Sequence, residues 1–250
     1  MIDYSRNWLF IDPELQSRLG ELRLLIMGVG IGSVMAELAL RTGIRHITIA
    51  DGDQVDASNL NRQNYTSADI GRRKVLACAD RLRAIDRSAS IRVIDAFLDE
   101  AMLREEIPKA DVVINTIDFD SPVFLLSNRL CRQFEVLELF PMNIGFGSSV
   151  CVFQKDGRGW SELFQFENHV DLKQKILQHL AQAAQFAPYL QEAAARYFVP
   201  ERPAFDPQLG ISCAISSSLM LGLIIKHLRG ESLKAFPEFY FLDATLPHFL

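Results

Sequence analysis

The sequence contains no C-x-x-C pair, although it has four cysteines, Cys78, Cys131, Cys151 and Cys213. The usual spacing of a structural zinc site or a redox dithiol is therefore missing. With no secretory pattern in MIDYSRNWLF, a disulfide framework is not expected, and each cysteine reads as a small buried apolar residue. Apolar runs such as LMLGLII (219–225) fall far short of a bilayer span. Excess positive charge is also absent. The net charge is −5, which argues against a surface built for generic nucleic-acid binding. There is no internal repeat and no low-complexity tract. Together these absences predict a cytosolic, non-membrane protein. Its 49% apolar and 23% charged residues are ordinary for a globular chain of 250 residues.

What is present is an alternation of strands and helices. LLIMG (24–28), HITIA (46–50), SIRVID (90–95), DVVINTI (111–117), EVLELF (135–140) and GSSVCVF (147–153) read as strands. Helical patterns run over 34–41, 72–85, 99–107 and 121–134, and Gly43 is placed to end the first of them. Such alternation implies an α/β fold, a doubly wound, mostly parallel Rossmann-like sheet with helices on both faces. Its ligand crevice lies beyond the carboxyl ends of the strands. Residues 1–153 are expected to form the nucleotide-binding part. Residues 154–250 are expected to contribute a crossing segment, helices over 170–198 interrupted near Pro188, an apolar helix over 212–230 and a strand over 238–243, all packed on the same sheet.

GVGIGS (28–33) follows a strand and opens a helix. Glycines there let the backbone turn tightly and approach a phosphate, which the helix N-terminus can bind. Gly28, Gly30 and Gly32 are the candidates. Asp51 lies about 20 residues on, suited to a ribose hydroxyl, and Asp53 is placed to orient the loop. Asp51 opens DGDQVDASNLNRQ (51–63), which carries Asn59 and Arg62. A dinucleotide oxidoreductase needs no such cluster, whereas a bound triphosphate needs cations as a phosphorus–oxygen bond breaks. Lys74 can return over the same crevice. Asp118, in NTIDFD (115–120), ends another strand at the same edge, where it could hold magnesium or cap the following helix. Asp120 or Ser121 is the more natural cap.

These pieces resemble the ThiF/MoeB/HesA family of ubiquitin-activating-like adenylyltransferases. The resemblance rests on YSRN (4–7), GVGIGS (28–33), DGDQVDASNLNRQ (51–63), IGRRK (70–74) and INTIDF (114–119), and more loosely on residues 210–230. It implies an enzyme that activates a substrate carboxylate with ATP as an acyl-adenylate and releases pyrophosphate. The carboxylate would belong to a ubiquitin-like protein C-terminus, a peptide or a smaller molecule. Carried over, Asp51 binds the ribose and Gly30 lies beside the nucleotide. Asn59, Arg62 and Lys74 hold the phosphates, and Asp118 holds magnesium. Arg6 reaches the site of a neighbouring subunit in a homodimer. Three departures stand out. The glycine loop is one residue short of the family's usual form. GRGWSELF (157–164) replaces the cysteine pairs of zinc-binding members, so no zinc is expected. No cysteine occurs between 154 and 212 to carry a thioester. A catalytically silent partner subunit, or a nicotinamide or flavin oxidoreductase, are the competing readings.

Overall fold

Five short stretches pair side by side because each carries backbone groups that a neighbouring strand can satisfy, the inner ones burying mainly apolar side chains and the edge one remaining half-exposed. In a computed structural model these are β1 (Arg23–Met27), β2 (His46–Ala50), β3 (Ser90–Ile94), β4 (Val112–Asn115) and β5 (Leu137–Ile144). β6 (Gly147–Phe153) and β7 (Phe239–Asp243) extend the same sheet. The structure describes residues 2–119, 121–180, 187–197 and 205–246. The strand order is β3-β2-β1-β4-β5-β6-β7. β3 through β5 run parallel, whereas β5–β6 and β6–β7 are antiparallel. The sheet is thus not parallel throughout. β5 and β6 are joined by a tight turn at Gly145, and a connection that short permits only an antiparallel pair.

Helices cover both faces. Leu24 and Ile26 of β1 point into a cluster with α2 (Ile31–Thr42), α3 (Lys74–Ile85) and α9 (Gly210–Leu228). The alternate residues, Leu25 and Met27, face α4 (Glu100–Glu106) and α5 (Val123–Gln133), as the two-residue period of a strand requires. α9 is long and apolar enough to cross a membrane by length and composition alone, but half of its most apolar stretch is buried. Met220, Leu223 and Ile224 of α9 lie in the core with α2, β5 and β6. All four cysteines are free and buried.

α1 (Pro13–Glu21) precedes the sheet and was not anticipated, although its signals are present: Asp12 accepts the Leu15 N–H at 2.8 Å and Pro13 occupies the first helical position. α6 (Trp160–Leu163), α7 (His169–Leu180) and α8 (Tyr189–Tyr197) form the inserted part. Leu172, Ile176 and Leu180, spaced by one helical turn, pack into an aromatic cluster of Phe124, Phe140, Phe153, Trp160 and Phe236.

Candidate nucleotide site

β1 reverses the strand order between β2 and β4, so the carboxyl ends of these three strands frame a crevice. Gly28 leaves β1 with φ of 87°, and a Cβ there would sit 2.7 Å from Thr116 Oγ1 and 2.8 Å from the Thr116 carbonyl. Both the left-handed backbone and the close approach restrict this position to glycine. A Cβ on Gly32 would lie 2.6 Å from Ile26 Cγ2, so its absence lets α2 sit directly on β1. Gly30 caps α2, with the Gln63 amide lying against it. The glycine turn therefore opens the α2 N-terminus, with its outward N–H groups, onto the crevice.

Side chains fix this turn from three directions. Asp51 Oδ2 accepts the Val29 N–H at 2.8 Å, and Tyr65 donates its hydroxyl to the Val29 carbonyl at 2.6 Å. Thr116 Oγ1 lies within hydrogen-bond distance of the Met27 and Gly28 carbonyls, at 2.9 and 2.7 Å. Ser33 donates to the Gly30 carbonyl at 2.7 Å and accepts the Asn64 N–H at 3.0 Å. Burial pushes the Tyr65 phenol well above its ordinary range, so it stays a neutral donor.

The stretch after β2 is stitched to the start of α3. Asp51 Oδ1 accepts the Asp53 N–H at 2.8 Å. Asp53 in turn pairs with Lys74, Nζ to Oδ2 at 3.0 Å, while the Lys74 N–H bonds the Asp53 carbonyl at 2.9 Å. Lys74 is buried and Asp53 exposed. Asn59 Oδ1 accepts the Asp56 N–H at 3.0 Å and Asp56 accepts the Ser58 N–H at 2.8 Å, closing a single turn of 3₁₀ helix over Ala57–Asn59. That turn delivers Arg62, whose Nη1 donates to the Ser58 carbonyl at 2.8 Å and Asn61 Oδ1 at 2.9 Å. Its Nε donates to Gln208 Oε1 at 2.7 Å.

On the other side of β1, β4 ends at Asn115, and an exposed Asp118 follows among half-buried neighbours. The Asp118 carbonyl accepts the Ser121 N–H at 3.2 Å. Ser121 Oγ accepts the Val123 N–H at 3.2 Å at the start of α5, and Asp120, the other cap candidate, lies outside the described residues. Beneath this segment, Glu138 of β5 is fully buried. It accepts from Asn115 Nδ2 at 2.8 Å, Ser127 Oγ at 3.1 Å and Asn128 Nδ2 at 2.6 Å. Asn115 Oδ1 also receives the Ile117 N–H at 3.2 Å, which ties the Asp118 segment to this hub. Burial raises the Glu138 carboxyl to about 7, with the amide and hydroxyl donors holding it back.

The topology therefore brings Gly28, Gly30, Gly32, Asp51, Asp53, Asn59, Arg62, Lys74 and Asp118 to one rim. β2 and β4 both flank β1, so their ends stand about 10 Å apart, two strand spacings. Arg6 is not there. It lies exposed in a short turn over Ser5–Asn7, where Tyr4 donates to the Leu40 carbonyl at 2.9 Å and Asn7 Nδ2 to that of Thr42 at 3.4 Å, at the far end of α2. Cys213 is 1% exposed, its Sγ accepts from Asn143 Nδ2 at 2.9 Å, and burial raises its thiol pKa. Among the described residues, no three His, Cys, Asp or Glu side chains gather to hold a metal. Sequence reasoning missed Tyr65, Thr116 and Gln208. The first two hold the glycine turn through carbonyls far along the chain, which no local pattern reveals.

The family model described as the ThiF family matches residues 4–249. The chain is 32% identical over 122 residues to the molybdopterin-synthase adenylyltransferase of Escherichia coli, covering 47% of this chain and 49% of that protein. It is 35% identical over 121 residues to the sulfur carrier protein ThiS adenylyltransferase of Bacillus subtilis, covering 46% of this chain and 36% of that protein. The matches thus span half or less of these curated relatives. In fold, it resembles E. coli MccB, solved with AMPCPP and MccA, at a TM-score of 0.68 and 19% identity over 97% of this chain and 71% of that one. It also resembles E. coli tRNA N6-threonylcarbamoyladenosine dehydratase, solved with AMP, at a TM-score of 0.65 and 17% identity over 90% of this chain and 92% of that one. With a family model matching nearly end to end, this chain belongs to the ThiF family.

Proposed function

We propose that this protein is an ATP-dependent adenylyltransferase that activates a substrate carboxylate. The observation that carries this reading is the meeting of a glycine turn, Asp51, Arg62, Lys74 and Asp118 on one rim. A nucleotide seated there would place its ribose at Asp51 and its phosphates beside Gly30, Asn59, Arg62 and Lys74. The substrate carboxylate attacks the α-phosphorus, the bond to the bridging oxygen of the β-phosphate breaks, and pyrophosphate leaves. The attacking oxygen is already ionised, so no protein base is required. The barrier is largely charge repulsion and alignment, which fixed cations reduce. Asp118 is a single exposed carboxylate at a strand end, which suits magnesium held mainly by phosphate oxygens and water. That ion would supply charge neutralisation of the departing pyrophosphate.

The same reading includes a homodimer with Arg6 acting in trans. Two features support it. The arm carrying Arg6 packs at the opposite end of α2, whose twelve residues span about 18 Å, so Arg6 stands far from the rim of its own chain. Directly after it, Trp8, Leu9 and Phe10 are 74%, 67% and 74% exposed, an apolar surface that a second copy would cover. The buried Cys213 thiol favours direct release of the adenylate over a thioester step. The site is read as zinc-free and the protein as cytosolic, with a peptide, a carrier-protein terminus or a smaller carboxylate as substrate.

The test is exchange of labelled pyrophosphate into ATP, screened across candidate carboxylates. Exchange should depend on one carboxylate and fall at least a hundredfold in Arg62→Ala and in Asp118→Ala, the scale of losing a charge-stabilising group. Exchange that survives both substitutions would reject these roles. Mixing inactive Arg6→Ala with inactive Arg62→Ala should restore partial exchange. No restoration would remove the trans assignment.

A further inference from the structure

The guanidinium of Arg62 has five N–H donors in a planar fork. Three are used inside the protein. Nη1 gives both of its hydrogens to its own loop, at the Ser58 carbonyl and Asn61 Oδ1, while Nε donates to Gln208 Oε1 at 2.7 Å. Nη2 meets no acceptor among the described residues. The first two acceptors lie within four residues of Arg62. The third comes from the opposite half of the chain, in the segment that crosses the rim just before α9.

The described residues of that segment, from 205 onward, are anchored at several points. The Gln208 carbonyl accepts from Asn61 Nδ2 at 3.4 Å. Gly210 lies so close to the arginine loop that a Cβ would stand 2.9 Å from the Asn61 carbonyl. Two residues before Gln208, Asp206 accepts from Lys173 Nζ of α7 at 2.6 Å and from the Tyr197 hydroxyl of α8 at 2.5 Å. Ser212 donates to the Leu209 carbonyl at 2.7 Å, starting α9. Gln208 is therefore presented to Arg62 from a braced backbone.

We propose that Gln208 is a positioning residue for phosphate binding. By accepting the Nε hydrogen, it fixes the rotation of the guanidinium about its stem. Both Nη2 hydrogens are then left for phosphate oxygens, and Arg62 is oriented before nucleotide arrives. The inference rests on the reading of Arg62 as a phosphate ligand. It adds that the nucleotide site is completed by the crossing segment and, through Asp206, braced by the inserted helices. Preorganising one long, flexible side chain removes an ordering cost that the ligand would otherwise bear.

The test compares the parent protein with Gln208→Met, which keeps the bulk of the side chain and removes the acceptor, and with Gln208→Ala. Affinity for magnesium-bound AMP-PNP should fall about tenfold in both, the worth of one hydrogen bond to a charged group. The thermal midpoint should not change. The Arg62 Nε–H resonance, identified by its loss in Arg62→Ala, should exchange slowly with water in the parent and rapidly in Gln208→Met. Unchanged affinity, or an Nε–H that stays protected, would overturn the positioning role. Tighter AMP-PNP binding would overturn it too, by making Gln208 a competitor for the phosphate place. If Arg62→Ala itself leaves AMP-PNP affinity intact, the assignment of Arg62 falls. If only Arg62→Ala weakens binding, that assignment stands and the role of Gln208 alone is lost.

Discussion

The rim around the glycine turn and the inserted helices of the same chain are held by different forces. At the rim, nearly every constraint is a directional bond from a side chain to a backbone group: Asp51 and Tyr65 on Val29, Thr116 on Gly28, Ser33 on Gly30. Around α6 and α7, the constraints are ring faces and aliphatic side chains, with Trp160 packed edge-on against Phe140, Phe153 and Phe236 at centroid distances of 5.4, 4.9 and 4.6 Å. Directional bonds fix positions of individual atoms and contribute modestly to stability. Apolar area contributes more and fixes less. Substitutions in the two regions should therefore separate function from stability.

The largest expected effect lies in the aromatic cluster. Trp160 is fully buried, and Trp160→Ala should cost about 4 kcal/mol, read as a shift in the denaturation midpoint. Its effect on AMP-PNP affinity, measured below the unfolding transition, should be small by comparison. A variant that loses nucleotide affinity while keeping its midpoint would break the contrast between the two regions.

Next comes Glu138, which sits where the two regions meet. Its native carboxyl lies at about 7, above the ordinary 4.5, so the native state binds the proton more tightly than the unfolded chain does. Stability from this group is complete below about 4.5 and declines as pH rises through about 7. The decline amounts to roughly 3 kcal/mol at 1.36 kcal/mol per unit. Asp86, buried and held down to about 2 chiefly by the Ser88 hydroxyl, acts in the opposite sense. Its contribution is present above its ordinary 3.8 and lost as pH falls through about 2. Unfolding free energies across pH 4.5 to 8 should therefore slope downward in the parent and flatten in Glu138→Gln. The slope is the readout, whatever the substitution does to stability at one pH. An equal slope in both proteins would show that Glu138 does not carry the proton.

Local periodicity made most of the sheet legible. β2 and β6 occupy the residues expected of HITIA and GSSVCVF. β5 was expected to stop at Phe140 but runs through Pro141 to Ile144. The reason is that β4 pairs only as far as Leu139, so beyond it one edge of β5 is open and a residue without an N–H is tolerated there. The antiparallel turn at β6 was readable from the short gap before Gly147, and α1 from Asp12 and Pro13. Asn59 and Arg62 were legible as candidates because they follow closely on Asp51, and Lys74 and Asp118 because the alternation of strands and helices sets them at the same edge. Gln208 was not, because its partner Arg62 lies in the other half of the chain and nothing in the crossing segment signals an acceptor.

A smaller effect on stability, with a larger one on function, is expected at the glycine turn. Gly28→Ala places a Cβ at φ of 87° and 2.7 Å from Thr116 Oγ1. The strain should cost about 2 kcal/mol and shift the Val29–Gly30 backbone. AMP-PNP affinity should then fall by more than the stability loss accounts for. A stability loss with unaltered affinity would mean that the turn does not approach the nucleotide.

Tyr65→Phe is the finest cut between the regions, since it deletes one oxygen and keeps the ring. The hydroxyl lies 2.6 Å from the Val29 carbonyl and 3.3 Å from that of Lys74, so it links the glycine turn to the first residue of α3. Removing it should cost about 1 kcal/mol, the net worth of one buried hydrogen bond. The phenol is buried and stays protonated through the neutral range, so the cost should be the same at pH 6 and pH 8. If the rim works through atom placement, this variant should weaken AMP-PNP binding several-fold for that small loss. The same loss of stability from trimming an apolar side chain of α7, as in Ile176→Val, should leave binding unchanged. Equal behaviour of the two variants would show that overall stability, rather than the bonded turn, sets nucleotide affinity.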